Sequence, residues 1–130
     1  MEPNYVENSY LRLHIKKDGI LYAEYAQDLK VTLEIAKECI AMRLRFTEDR
    51  FYPCLANVSG IVSTSKEARE YFASEEALRG FKALAILTHS TISKIIGNFY
   101  INFDKPGVPS KIFNSEKTAL KWLKQFQESE

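Results

Sequence analysis

Apolar and polar residues alternate with a period of two near the start of the chain. Residues 10–16 place three aliphatic side chains on one side, which is typical of a half-buried strand. The pair Asp18 and Gly19 separates this run from a second apolar run over residues 20–25. Because Asp-Gly between two such runs is a strong signal for a β-hairpin, the pattern predicts an antiparallel pair of strands here.

The pattern then changes to a helical period. Thr32 is a suitable N-cap for a helix over about residues 32–46, with an apolar side and a polar side. The apolar side carries Ile35, Ala36, Cys39, Ile40, Met42 and Phe46. The polar positions are Glu34, Lys37, Glu38, Ala41, Arg45 and Glu48. This helix is expected to pack its apolar side against a sheet.

Three further strand and helix pairs follow. The strands are predicted over residues 51–57, 83–87 and 111–113. The helices are predicted to begin at Thr64, Ile92 and Ser115. Thr64 is followed three residues later by Glu67, which matches a capping box. Strands that alternate with helices in this way favour right-handed crossovers and parallel pairing.

Two of these helices carry a clear apolar stripe. In the helix over residues 92–103 the stripe is Ile92, Ile95, Ile96, Phe99 and Phe103. In the last helix it is Ala119, Trp122, Leu123 and Phe126. Both stripes are expected to face the core, because apolar side chains at helical spacing usually do. Gly97 weakens the first of these helices, and close packing against a neighbouring strand explains it.

The predicted fold is therefore α/β, with five strands and four helices in the order ββαβαβαβα. The sheet is expected to be mostly parallel, with the N-terminal hairpin as its antiparallel edge. The 130 residues fit one domain over 1–130, in which residues 1–9 are expected to be a flexible segment.

This element order, with residues 83–99, 111–116 and 119–123, resembles the small bacterial STAS-like domains related to the SpoIIAA anti-sigma-factor antagonist. The resemblance covers residues 10–127. It implies a SpoIIAA-like fold and a non-enzymatic regulatory module that binds a protein partner. In the antagonists, a serine in an Asp-Ser-Ser-Gly run is phosphorylated by the partner kinase. The corresponding residues here, 57–65, read NVSGIVSTS, and Ser63 and Thr64 are the candidate phosphorylation sites.

Polar residues collect where predicted strands end and helices begin. They are Asn57, Ser59, Ser63, Thr64, His89 and Ser90. Because open parallel sheets bind ligands beyond the carboxyl ends of their strands, this rim is the expected site for a partner or a small anion such as a phosphate or carboxylate. The plainer interpretation is that Thr64 and Ser90 are helix caps and that His89 is structural.

Composition and charge exclude several classes of function. The net charge is +1, and no basic face carries interleaved aromatic residues, so nucleic-acid binding is not expected. The apolar runs are too short to span a membrane. Phosphate-binding loops, metal-ligand spacings and catalytic motifs are absent from the sequence, so neither enzyme activity nor a cofactor or metal is expected. Cys39 and Cys54 are expected to be free thiols of a cytoplasmic protein.

Two kinds of function remain open. One is the STAS-like module that binds a protein partner, with which a homodimer is also compatible. The other is a small-ligand or lipid-binding domain that resembles the SEC14 type, with aromatic residues lining an apolar pocket. Those aromatic residues are Tyr71, Phe72, Phe99, Tyr100, Phe103, Trp122 and Phe126. Because their helical spacing is also typical of core packing, the sequence does not separate the two functions.

Overall fold

The computed structural model describes residues 4–127, which form strands, α-helices and two short turns of other helix types. The strands are β1 (Tyr5–Glu7), β2 (Leu11–Ile15), β3 (Leu21–Tyr25), β4 (Leu29–Val31), β5 (Tyr52–Asn57), β6 (Ile61–Thr64), β7 (Phe81–Leu87) and β8 (Ser110–Phe113). The helices are α1 (Leu33–Thr47), α2 (Lys66–Phe72), α3 (Glu75–Leu78), α4 (Thr91–Phe99) and α5 (Glu116–Leu123). A π-helical turn, Tyr100–Asp104, continues α4, and a 3-10 turn, Lys124–Phe126, continues α5.

The strands form a six-stranded mixed sheet in the order β1-β2-β3-β5-β7-β8, and a separate pair, β4-β6. β1, β2 and β3 pair antiparallel, whereas β5, β7 and β8 join β3 in parallel. The α/β class is therefore confirmed. The expected five strands, four helices and order ββαβαβαβα are corrected, because four elements of three or four residues are too short to show a period in the sequence.

The hairpin and the first helix follow the local chemistry read from the sequence. Gly19 has a φ of +80°, a conformation that glycine adopts readily, and the Asp18 carboxylate accepts a hydrogen bond from the Ile20 N–H at 3.0 Å. The Thr32 hydroxyl accepts from the Ile35 N–H at 3.2 Å, as expected for an N-cap. The predicted hairpin is thus the pair β2 and β3.

Three of the added elements are the strand β1 and the two strands of the β4-β6 pair. Instead of one flexible segment over residues 1–9, Tyr5–Glu7 pairs antiparallel with Arg12–His14; residues 1–3 lie outside the described part. The β4-β6 pair begins where Gly60 approaches Ala26 so closely that an added Cβ would overlap the Ala26 carbonyl oxygen. Glycine is therefore required at residue 60.

Alternate side chains of the strands face two cores. On one face, α5 packs its Ala119 and Leu123 against β5, β7 and β8. On the other face, α1 and the π-helical turn cover β2, β3, β5 and β7 with Cys39, Met42 and Tyr100. A third cluster joins α1 and α2 to the β4-β6 pair.

The orientation of α4 corrects the expected packing of its apolar stripe. Ile92, Ile95, Phe99 and Phe103 are 53%, 62%, 42% and 68% exposed, whereas Ile96 of the same stripe packs against a core cluster as expected. The buried residues of this segment are instead Ser93, Gly97 and Tyr100. A Cβ at Gly97 would lie 3.2 Å from Ile112 Cδ1, so the absence of a side chain lets the helix approach the sheet. The close packing expected at Gly97 is confirmed.

Candidate functional site

Four of the predicted rim residues lie together at the carboxyl ends of β5 and β7. These strands pair in parallel, with Asn57 opposite Leu87. The Ser59 hydroxyl accepts a hydrogen bond from the His89 N–H at 2.8 Å, and the Asn57 side chain accepts from the Ser59 N–H at 3.0 Å. These four residues thus lie in two neighbouring turns, in which the N–H groups of Ser59, His89 and Ser90 already have acceptors.

Ser90 lies in the same turn and has the capping role expected for it. Its hydroxyl accepts from the Ser93 N–H at 3.0 Å. Thr88 accepts from the Ser90 N–H at 3.2 Å and contacts the Ser93 hydroxyl through a short hydrogen bond. The polar groups around the start of α4 therefore bond to one another, while the His89 side chain is exposed to solvent.

Ser63 and Thr64 lie on β6, opposite Lys30 and Val31 of β4, and thus outside the six-stranded sheet. The capping box assigned to Thr64 is wrong by one residue, because the Ser65 hydroxyl accepts from the Ala68 N–H at 3.1 Å and caps α2. Thr64 is half-buried and lines an internal cavity. Ser63 is exposed and accessible for modification.

An apolar patch begins directly after the rim. We call it the α4 surface; it consists of the exposed side chains Ile92, Ile95, Phe99 and Phe103. The Phe99 and Phe103 rings stack with their centroids 4.3 Å apart. Phe103 belongs to the π-helical turn and follows Phe99 by four residues, a spacing that places two side chains on the same side of a helix.

A largely buried ion pair contacts the inner side of the α4 surface. Arg69 Nε of α2 lies 2.7 Å from Asp104 Oδ2, and these two side chains are only 18% and 8% exposed. The same guanidinium lies 4.2 Å from the centroid of the Phe99 ring. On the inner side, the Tyr100 hydroxyl donates to the Phe72 carbonyl at 2.7 Å. These contacts fix the aromatic rings in place before any partner binds.

A half-open cavity of about 110 Å³ lies between the helices and the sheet. Its walls come from β2, β3, β5 and β7 on one side and from α1, α2 and α4 on the other, and they are mostly aliphatic or aromatic. Cys39, Cys54 and Arg43 also line it. Both thiols are free, as predicted, and burial raises the pKa of each to about 12.

One buried charged residue was not predicted from the sequence: Arg43 is only 3% exposed. Its Nη1 donates to the Arg79 carbonyl at 2.8 Å, and Nη2 donates to the Ala77 carbonyl. The guanidinium lies 4.1 Å from the centroid of the Phe81 ring, and burial lowers its pKa. Within residues 4–127, its Nε–H has no hydrogen-bond acceptor. The sequence did indicate that Arg43 is buried, because it follows Cys39 by four residues and Ile40 by three on the apolar side of α1.

Two further observations concern metal ligands and membrane-spanning helices in the described part of the chain. No three His, Cys, Asp or Glu side chains among residues 4–127 are grouped to hold a metal ion. None of the helices in that range is long and apolar enough to cross a lipid bilayer.

Comparison with known proteins gives a family and a fold. The model of a domain of unknown function, DUF7793, matches residues 13–127. No curated protein matches the chain. A structure of an uncharacterised DUF3478 protein with a SpoIIAA-like fold from Shewanella loihica PV-4 covers 91% of this chain and 98% of its own, with a TM-score of 0.62 and 16% identity. A protein of unknown function from Arthrobacter sp. FB24 is 23% identical over 85% of this chain and 90% of its own, with a TM-score of 0.33.

Proposed function

The chain belongs to the DUF7793 family, and we propose that it is a non-enzymatic STAS-like module that binds a protein partner through the α4 surface. Its SpoIIAA-like fold supports a module of this type, and the fold likeness by itself names no partner. The partner therefore has to be inferred from the chemistry of the α4 surface.

The observation that carries the proposal is the exposure of four large apolar side chains on one surface. Single exposed apolar residues are ordinary, but a contiguous apolar patch on a soluble domain marks an interaction site. Here Ile92, Ile95, Phe99 and Phe103 follow one side of α4 and its π-helical turn. Because Arg69 and Asp104 hold the rings in place, little ordering entropy is lost when a partner covers them.

Charge at the border of the α4 surface indicates the kind of partner. Lys94 and Lys105 are exposed, and neither forms an ion pair within the described residues. Asp104, the acidic residue of this segment, is already paired with Arg69. The partner segment we propose is thus apolar, with Asp or Glu at its edges, because such charges complement the two lysines and steer the encounter.

Phosphorylation of Ser63 is the proposed control. Ser63 is exposed on β6, and β6 packs against α4. A phosphate would add about 1.5 to 2 negative charges there and repel the acidic edges of the partner. Thr64 is less suitable than Ser63, because its side chain lines the cavity and a phosphate would have to be buried.

The proposal is tested by removing apolar area from the α4 surface. The double variant Ile95→Ser and Phe103→Ser should lose a partner that the natural sequence captures from its own host, and Ser63→Glu should weaken the capture. Phe51→Ser is the matched control, because Phe51 is 59% exposed outside the α4 surface. The Phe51→Ser variant should capture the partner as well as the natural sequence does.

Two further measurements distinguish other occupants of this surface. Light scattering reports a homodimer that dissociates in the double variant, and flotation with anionic vesicles reports membrane binding. Either result, or equal capture by the double variant and the natural sequence, would contradict the proposal of a separate protein partner.

A further inference from the structure

The hydroxyl of Tyr25 is a polar group inside the fold that has no hydrogen-bond partner among residues 4–127. Tyr25 is the last residue of β3, and its ring meets the Phe72 ring edge-on with the centroids 6.4 Å apart. The nearby Tyr100 hydroxyl, by contrast, donates to the Phe72 carbonyl. Because a hydroxyl removed from water without a partner is costly, a molecule that bonds to it would stabilise this arrangement.

The Tyr25 hydroxyl faces the half-open cavity and can be reached from it. Burial raises the pKa of Tyr25, and Cys39 and Cys54 lie close enough to raise it further. Both thiols line the cavity together with Tyr25. Within the described residues, the Nε of Arg43 is the unpartnered nitrogen or oxygen that is closed to a water-sized molecule, and the Tyr25 oxygen is not closed in this way. A molecule in the cavity therefore has access to the Tyr25 O–H.

The remainder of the cavity wall favours a small neutral molecule. Most of the wall is apolar, as at Leu13 and Leu84. Its two arginines already have partners, since Arg43 bonds to backbone carbonyls and Arg69 is paired with Asp104. An engineered apolar cavity of about 150 Å³ in another protein binds benzene, so by the same scale this cavity of about 110 Å³ holds about four or five non-hydrogen atoms.

We propose that the cavity binds a neutral molecule of about this size with one oxygen atom, such as a short ketone or alcohol, and that the oxygen bonds to the Tyr25 hydroxyl. A ketone oxygen would accept the Tyr25 O–H, while the alkyl groups contact the aliphatic wall. This inference concerns the cavity and is independent of what covers the α4 surface.

Water is the competing occupant. Tyr25 and Thr64 both line the cavity with hydroxyls that have no partner within residues 4–127, so they would offer a water molecule two hydrogen bonds. The aliphatic part of the wall offers it none, and the Ser93 hydroxyl is already bonded to Thr88. A cavity that holds only water binds neither a ketone nor a hydrocarbon, so the two explanations can be separated by titration.

The experiment compares butanone with 2-methyl-1-butene, in which a CH₂ group replaces the carbonyl oxygen and the shape is nearly the same. Both should shift the NMR signals of the Leu84 and Ile86 methyl groups, which line the cavity. Tyr25→Phe removes only the hydroxyl. It should weaken butanone binding about 2- to 12-fold, as expected for one neutral hydrogen bond, and should change 2-methyl-1-butene binding by less than about twofold.

Tyr22→Phe is the matched control. Tyr22 is on the same strand but outside the cavity wall, and its hydroxyl bonds to Asp18. This variant should bind both molecules as the natural sequence does.

A second variant keeps the test decisive if Tyr25→Phe does not fold. Ala56 lines the cavity, so Ala56→Val fills part of it and should weaken the binding of both molecules while Tyr25 stays in place. No binding of butanone by the natural sequence, an equal effect of Tyr25→Phe on both molecules, or unchanged binding in Ala56→Val would overturn the proposal.

Discussion

The helices α4 and α5 have similar apolar stripes, yet they pack in opposite ways. In α5, Ala119 and Leu123 are fully buried against the sheet, and the Trp122 ring lies 5.5 Å from that of Phe113. In α4, four of the five residues of the apolar stripe point outward, and the side facing the interior carries Ser93, Gly97 and the half-buried Ile96. The difference shows that a helix can pack on a sheet through the side that carries its smallest side chains, even when another side is more apolar.

Close packing favours the side of α4 that carries Ser93 and Gly97. With Gly97 next to Ile112 and Ile86, the helix backbone comes closer to the sheet than large side chains would permit. The polar groups on this side are satisfied locally, since Ser93 contacts Thr88 and Tyr100 donates to Phe72. Among residues 4–127, burying this side therefore leaves the polar groups of Ser93 and Tyr100 paired, and it keeps the α4 surface available to a partner.

Truncation in α5 should have the largest effect on stability. Leu123 has no exposed surface, so Leu123→Ala should lower the free energy of unfolding by about 2–5 kcal/mol. Urea denaturation followed by circular dichroism measures this loss. A loss below about 1 kcal/mol would mean that α5 packs no more tightly than α4.

Adding a side chain to the small side of α4 should have the next largest effect. Gly97→Val places a Cβ 3.2 Å from Ile112 Cδ1 and adds two methyl groups, so we expect a loss of about 1–3 kcal/mol in the free energy of unfolding. Asn98→Val, one residue along on the exposed side, is the control and should change stability by less than about 1 kcal/mol. Equal losses in both variants would contradict the orientation of α4.

The stability of the core on the α4 side of the sheet should fall at alkaline pH, because this core contains both thiols. Burial raises the pKa of Cys39 and Cys54 from 9.0 to about 12 in the folded state. Each thiol thus contributes full stability below about pH 9, and the contribution is lost as the pH rises toward 12, since only the unfolded chain releases the protons. The loss is at most about 1.4 kcal/mol per pH unit for each thiol. Urea denaturation at pH 8.5 and 10 should show it, whereas a Cys39→Ala and Cys54→Ala variant should be less sensitive to pH.

The smallest effect is expected on the α4 surface itself. Ile95 is 62% exposed, so Ile95→Ala removes a side chain that contributes little to the core. The free energy of unfolding should stay within about 0.5 kcal/mol of that of the natural sequence, in contrast to Leu123→Ala. Thermal denaturation of the two variants side by side checks the contrast, and a loss above about 2 kcal/mol at Ile95 would place this stripe in the core.

Much of the fold could be predicted from local signals. Asp18 and Gly19 located the hairpin, and Thr32, Ser90 and Ser115 located three helix starts, because turn and cap chemistry depends on neighbouring residues alone. The missed elements are short, so they show no period. The shift from Thr64 to Ser65 has a similar origin, since both residues can act as caps and only tertiary structure extends β6 through Thr64.

The candidate site was less predictable, because it depends on contacts between distant parts of the chain. The sequence correctly predicted that Ser59 lies near His89, because Ser59 follows β5, His89 follows β7, and these two strands pair in parallel. It did not identify Arg43, whose role depends on carbonyls of residues 77 and 79, more than thirty positions away. Nor could a helical period tell that the stripe of α4 faces outward, because the period fixes which side chains share a side but not where that side points.

The internal cavity has a consequence for the volume of the protein. Its 110 Å³ corresponds to about 65 mL per mole, and the part of this volume that water does not fill adds to the decrease in volume on unfolding. Because unfolding removes such voids, hydrostatic pressure should favour the unfolded chain, and should do so by opening the α4 side of the sheet before the α5 side. A molecule that fills the cavity would make the folded protein less sensitive to pressure.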